Sequence, residues 1–368
     1  MKKRIVSFVL ALMMCFSLSM TAFAAEANQL TDQEFIASKI SELIPAFLTA
    51  TEFGVTEENY ENLYVGNPIT AYTYTNGENT GSYLQYPIIF ENLHVKEIIG
   101  LARVIEHENG ERTIDYGVNC APQIQDYLET SENTSFALLY SENGVSIATA
   151  SSQTMVKVYE TTSLARMNAI SLEEVDYALT DLEAIEKIEV PTATFATRAV
   201  EHNSLNIEHI SQGGTTCWAA CVACIMNYYY GTDFDSLDVL LQASDAGIIT
   251  TGSSGLTISE TKLVFESYTN EYGISCTKKP TYFSYSTLKS YINDDTLFWA
   301  RGSKTTGSGA GHAIVPYGYY YSGSGSKYMY YMEPNTGLKT AAFPSSGAIV
   351  FTNDASNFAL DSYLICYQ

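Results

Sequence analysis

The chain has 368 residues, with 41 acidic against 19 basic side chains and a formal net charge of −22. Neither half carries the basic patch that holding phosphates requires, which sets nucleic acid aside as a partner. The charge is also uneven: residues 25–200 hold 27 acidic and 8 basic side chains, residues 201–368 hold 14 and 8, and the break near 200 marks two units.

Residues 1–24 read as a secretory signal peptide. Met1-Lys-Lys-Arg4 is basic, Ile5 to Met20 is apolar apart from Ser7, Ser17 and Ser19, and Ala22-Phe-Ala24 offers small residues where cleavage would follow. No later segment is apolar enough to cross a bilayer, so the expectation is an extracellular protein with no membrane partner after the signal is removed. Cys15 leaves with the signal.

Thr31 and Glu34 have the spacing of a capping box and open an apolar-periodic helix through Phe35, Ile36, Ile40, Leu43, Ile44, Phe47 and Leu48. Alternating runs follow at 69–75, 82–91, 96–106, 113–118, 135–140 and 145–150, with a last strand at 156–159. Three Asn-Gly turns among them predict an antiparallel meander. A short helix is expected at 123–128, and Ser171-Leu-Glu-Glu174 opens another to about Lys187. His107 reads as a solvated loop residue. Residues 25–187 are thus an acidic α+β domain without a catalytic constellation. Residues 188–204, polar and small around a lone Arg198, are expected to be an exposed linker and processing region.

Composition then changes: 17 of the 28 tyrosines lie beyond residue 200. His209-Ile-Ser-Gln-Gly-Gly-Thr-Thr-Cys217-Trp-Ala-Ala reads as a Gly/Thr turn entering a buried helix that continues to Tyr230 and stops at Gly231. A thiol on the first turn of a helix lies near the positive end of its dipole, which favours the thiolate. That makes Cys217 a candidate nucleophile, with the Gln212 amide able to donate to an oxyanion beside it. Cys221 and Cys224 sit on the same helix at spacings too wide for an easy bridge and read as small buried hydrophobes. No second pair supports a zinc site, and nothing in the spacing pairs Cys120, Cys276 or Cys366. Helices at 235–243, 258–268 and 285–292 precede strands at 296–301, 313–321, 327–332, 339–343 and 363–367. This is an α+β order with a cleft expected between the helical and antiparallel halves.

His312 stands between glycines and the 313–321 strand. The following hairpin returns Glu333-Pro-Asn335-Thr-Gly337 to its neighbourhood. Cysteine, histidine and a polar orienter, in that order, are the parts of an activated thiol. Gln212…Cys217-Trp-Ala-Ala, Gly311-His312-Ala with Gly318-Tyr319, and Glu333-Pro-x-x-Gly337 resemble the papain-like cysteine peptidases. The similarity is greatest to the branch of bacteriocin-processing peptidases and bacterial effector peptidases with a Cys-Trp-Ala-Ala helix. It covers about residues 205–368. In that branch the third member is commonly the Asp of Asp-Pro-x-x-Gly, where this chain has Glu333. Papain itself uses an Asn, and Asn335 is two residues away, so both remain open. The Gln212–Cys217 spacing is one residue shorter than papain's.

The resemblance implies a papain-like peptidase domain at 205–368 behind a propeptide-like domain, and no metal or organic cofactor. It implies an exported cysteine endopeptidase made as a zymogen and acting on protein or peptide substrates, its own N-terminal domain serving as intramolecular inhibitor. The same thiol site would also serve an acyltransferase or deamidase. A non-catalytic binding protein on this fold is the third reading, favoured by the tyrosines.

Overall fold

The computed structural model describes residues 30–43, 55, 60–75, 78–92, 95–107, 109–117, 120–131, 135–141, 144–149, 152–160, 180–181, 188–189, 201–249, 255–305, 311–322, 325–353 and 356–367. Residues 1–24, expected to be a signal peptide, residues 190–200 and most of the helix expected at 171–187 lie outside them.

The N-terminal half opens with α1 (Asp32–Leu43), whose first turn is closed by reciprocal bonds between Thr31 and Glu34 as the capping box requires. Strands β1 (Leu63–Val65), β2 (Ile69–Thr75), β3 (Glu78–Asn92), β4 (Val95–Glu106) and β5 (Arg112–Gly117) follow. After helix α2 (Ala121–Thr130) come β6 (Ser135–Ser141), β7 (Gly144–Thr149), β8 (Ser152–Glu160), β9 (Thr180–Asp181) and β10 (Ile188–Glu189). The long β3 serves two sheets. Its first part pairs with β2 and its second with β4 and β1.

Three expectations need correction here. The meander is not wholly antiparallel, because β2 runs parallel to β6, a return made after β3, β4, β5 and α2. Residues 180–181, read as helix, form a strand beside β6; cross-strand pairing overrides the local helical pattern. His107 does lie in the loop after β4, but it is half-buried rather than solvated. Its Nε2 lies 2.8 Å from Thr113 Oγ1, and burial holds its pKa below the usual histidine value.

The C-terminal half comprises β11 (Glu201–Ser204), α3 (Cys217–Tyr230), α4 (Ser236–Asp245), α5 (Ile258–Ser267), α6 (Thr269–Tyr272), β12 (Ser275–Lys279), α7 (Tyr285–Asn293) and β13 (Phe298–Lys304), then β14 (His312–Tyr321), β15 (Lys327–Glu333), β16 (Gly337–Ala342), β17 (Val350–Thr352) and β18 (Asn357–Tyr367). Helix α3 is apolar around its whole circumference, and so it is buried from Cys217 through Met226. It ends where Gly231 takes the left-handed conformation, φ 61°, and donates its N–H to Asn227 O. Strand order runs β12–β18–β13–β14–β15–β16. Strand β14 pairs with β13 over residues 312–314 and with β15 from Val315 on, with a bulge between Pro316 and Gly318.

Strand pairing joins the two halves. Strand β5 adds to the edge of the C-terminal sheet at β16, with Thr340 opposite Tyr116, so one sheet continues from β16 through β5 into β4 and β3. Strand β11 pairs with β14, and β10 with β1, so both ends of the expected 188–204 linker are built into sheets. Across the seam, Lys339 Nζ meets Asp115 Oδ2 at 2.9 Å with both side chains 3–4 % exposed, and Tyr331 donates its hydroxyl to Asp115 Oδ1 at 2.9 Å. Removing one partner of a buried pair strands the other charge away from water. Asp115→Ala is therefore expected to lower unfolding free energy by about 3–5 kcal/mol, read from urea midpoints. Asp115→Leu with Lys339→Met should recover most of that; a single-variant loss under about 1 kcal/mol would mean the pair is solvated.

Candidate active site

The turn before α3 depends on Gly214, whose φ of 61° suits glycine. Thr216 stands at the N-cap but spends its hydroxyl on Gly213, accepting from its N–H at 3.0 Å and donating to its carbonyl at 2.8 Å. No side chain caps the helix; the Ala219 and Ala220 N–H groups are taken by Thr216 O at 2.9 and 3.2 Å, which leaves those of Cys217 and Trp218 at the helix start.

Helix α3 packs on β14, and this brings Cys217 to His312 at the head of that strand. The imidazole and the Ala313 N–H both favour the thiolate form of Cys217. On the other side, His312 Nε2 lies 2.5 Å from Glu333 Oε1. Nε2 is thereby committed to the carboxylate and Nδ1 is left for the thiol. Gly311 makes room behind this histidine: a Cβ there would lie 2.5 Å from the Arg301 guanidinium, which pairs with Asp361 at 2.8 Å. The imidazole face rests on Phe358, ring centroids 5.1 Å apart.

Glu333 has no exposed surface and needs its partners. Its second oxygen accepts from the Asn335 N–H at 3.0 Å, the Thr336 N–H at 2.6 Å and the Thr336 hydroxyl at 2.7 Å. Of the two residues left open by the sequence, Glu333 therefore meets the imidazole. Asn335 serves through its backbone, while its side-chain oxygen is buried without a hydrogen-bond partner. Thr336 was legible only as part of a turn, yet it anchors the carboxylate. His209 approaches the Glu333 carbonyl at 3.1 Å, and the spacing gave no sign of it.

Gln212 sits beside this line, its backbone N–H bonded to Pro334 O at 2.9 Å. Its side-chain amide donates to Gly214 O at 2.6 Å, which leaves the second amide N–H uncommitted.

The electrostatics follow from burial and pairing. Burial alone would push the Cys217 thiol up, but the His312 charge, its hydrogen bond and the Ala313 N–H outweigh it, and the thiol ends below its usual range. Burial would lower His312, yet the Cys217 and Glu333 charges raise it above the ordinary histidine value. Glu333 is pushed up by burial and more than brought back by His312, Thr336 and the Lys339 charge. A thiolate–imidazolium pair held by a carboxylate is the arrangement that makes a thiol nucleophilic at neutral pH. Cys221 and Cys224 are the contrast: burial raises both thiols, so they are inert packing as expected.

A family model described as papain-like cysteine protease AvrRpt2 matches residues 200–347. Cys217, His312 and Glu333 all fall inside that span, and the match accords with the papain-like effector branch. A comparison with curated proteins returns no match.

Proposed function

We propose that the chain is an exported cysteine endopeptidase, made as a precursor, that hydrolyses peptide bonds of protein or peptide substrates. The observation that carries this reading is the buried His312–Glu333 contact beside a buried Cys217 whose charge is coupled to that of His312; the family match supports it. Cys217 thiolate attacks the peptide carbonyl carbon, and the negative charge moves to the carbonyl oxygen. The uncapped N–H of Cys217 and the free N–H of the Gln212 amide hold that oxyanion, each such donor contributing about 3 kcal/mol to barrier lowering. As the C–N bond breaks, His312 gives its Nδ1 proton to the leaving amine. The imidazole then takes a proton from water, whose oxygen attacks the thioester and releases the acid and the thiolate. Glu333 keeps the ring oriented and balances its charge throughout.

The testing experiment is labelling with a thiol-directed peptidase inhibitor at neutral pH, followed by peptide mapping. Cys217 should take the label while Cys221 and Cys224 do not. The sign of the pH dependence follows from the pair. A lowered thiol and a raised imidazole keep thiolate and imidazolium together across neutral pH, so the alkylation rate should stay high below the ordinary thiol range near 8.5. His312→Ala removes the charge holding the thiolate, and the midpoint should move above that value. An unmodified Cys217, or a midpoint indifferent to His312, would overturn the reading.

Latency is the remaining part of the proposal. Cys217 and His312 keep only 8 % and 5 % of their surfaces exposed, too little for a polypeptide to reach the thiol unaided. A cut within 190–200 falls between β10 and β11 and would relax this closure while β5 still holds the two parts together. In this view the N-terminal half assists folding and keeps the enzyme quiet.

A further inference from the structure

Far from the catalytic thiol, two other cysteines face each other. Cys276 on β12 and Cys366 on β18 are directly paired in the antiparallel register, and their sulfurs are 3.2 Å apart. Both are buried, Cys276 at 8 % exposure and Cys366 at 0 %. Residues directly opposed in an antiparallel ladder have Cα atoms about 4.5–5.5 Å apart, inside the range disulfides span. Closing the contact to a bond of about 2.05 Å needs a shift of roughly 1 Å, within reach of small side-chain rotations. The helix cysteines offer no such contact, since their spacing along α3 keeps them apart.

We propose that Cys276 and Cys366 form a cross-strand disulfide in the mature protein, alongside a Cys217 that stays reduced. The oxidant is a low-molecular-weight disulfide such as oxidised glutathione. Cys276, the more accessible of the two, attacks one sulfur of the oxidant as a thiolate; the oxidant's S–S bond breaks and one small thiolate leaves. Cys366 then attacks the sulfur of Cys276, the mixed disulfide breaks, and the second small thiolate leaves. The cysteine pair gives up two electrons and two protons, and the oxidant gains them as two thiols. Burial pushes the Cys366 thiol well up, so this second step belongs to folding, before β18 is enclosed.

The position explains what the bond would do. Cys276 and Cys366 are 90 positions apart, and the loop they close contains His312 and Glu333 but not Cys217. Strand β18 lies against β13, which holds the head of β14 where His312 stands. The Cys366 carbonyl also accepts from the Tyr229 hydroxyl at 3.2 Å, and Tyr229 belongs to the helix that carries Cys217. The bond therefore ties edge strand β12 to the frame on which the base and nucleophile are mounted. Constraining so long a loop removes much of the freedom of the unfolded chain. The geometry is independent of the peptidase reading, and the test below uses no substrate.

The full-length protein is refolded with a mixture of reduced and oxidised glutathione. Free thiols are then blocked under denaturing conditions, and the protein is digested without reduction. The expected result is a linked pair of peptides containing Cys276 and Cys366, with Cys120, Cys217, Cys221 and Cys224 alkylated. Cys276→Ser, Cys366→Ser and the double variant should each melt lower by roughly 10 °C, by the same amount, and reduction of the wild type should bring it to that value. Stoichiometric alkylation of both cysteines in the refolded wild type overturns the proposal, and it can be read even where a variant fails to fold. So does a wild-type melting temperature that reductant leaves unchanged.

Discussion

Cys217→Ala should lower the turnover number for peptide-bond cleavage about a million-fold, to the level that binding and the oxyanion donors sustain alone. The reason lies in the division of labour along the buried line. In the proposed mechanism His312 moves protons and Glu333, which meets it, holds it in place, but neither forms the bond to carbon. The same argument makes the losses non-additive. Once the sulfur is gone, His312→Ala should cost little more, whereas alone it should cost nearly as much. Single-turnover cleavage of a fluorogenic peptide measures this, with melting curves to show that each variant is folded. The alanine variant incubated alone should also stay full length where the wild type shortens within 190–200, a result intact-mass spectrometry reads. Undiminished cleavage by the variant would place the nucleophile elsewhere. A wild type that stays intact while cleaving peptides would remove self-processing from the picture and leave the peptidase standing.

Glu333→Gln is the second large effect, about a thousand- to ten-thousand-fold in turnover. The substitution keeps shape and volume but removes the charge and brings two N–H donors into a pocket already full of donors: His312 Nε2, the Asn335 and Thr336 amides and the Thr336 hydroxyl. The imidazole loses both the partner that fixes its tautomer and the charge that raises its pKa. The alkylation midpoint of Cys217 should therefore move up in this variant, which mere loss of stability would not produce. Asn335→Ala, whose side chain does not meet the imidazole, should stay within about tenfold, or about 1.4 kcal/mol of barrier. Equal losses at the two positions would reopen the choice between them. Glu333 also carries an acid signature. Its folded pKa lies below its unfolded value, so its contribution to stability is complete above the unfolded value near 4.3 and fades as pH falls through the folded one. Glu333→Gln should flatten that part of the stability curve.

What the sequence revealed and what it hid divide along physical lines. Helix α3 was readable to its last residue because its signals are local: a turn glycine, an apolar run and Gly231 at the stop. Ile69–Thr75 was readable for the same reason, its alternation ending at an Asn-Gly turn. Cys217 and His312 were also legible as candidates, each marked by its small neighbours. The choice between Glu333 and Asn335 was not, because both sit in one four-residue turn and only the register of β15 against β14 decides which carboxyl or amide meets the ring. The seam between β5 and β16 was invisible for a different reason. Its strands lie more than two hundred residues apart, and each carries an ordinary strand pattern that names no partner. Residues 180–181 failed the opposite way, their local helical pattern overruled by a distant strand.

That seam bears on how the protein is made. During synthesis, residues 112–117 leave the ribosome long before residues 337–342, so the covering strand is already available when the strand it covers emerges. A fragment beginning at residue 201 would reverse this protection. It would carry β16 as a bare sheet margin, with a ladder of unpaired amides and carbonyls inviting a second copy of the same strand. Lys339, built to be enclosed, would stand in that margin without Asp115. Production of the C-terminal part alone should then run to oligomers and aggregates, and supplying residues 25–189 as a separate chain should restore solubility.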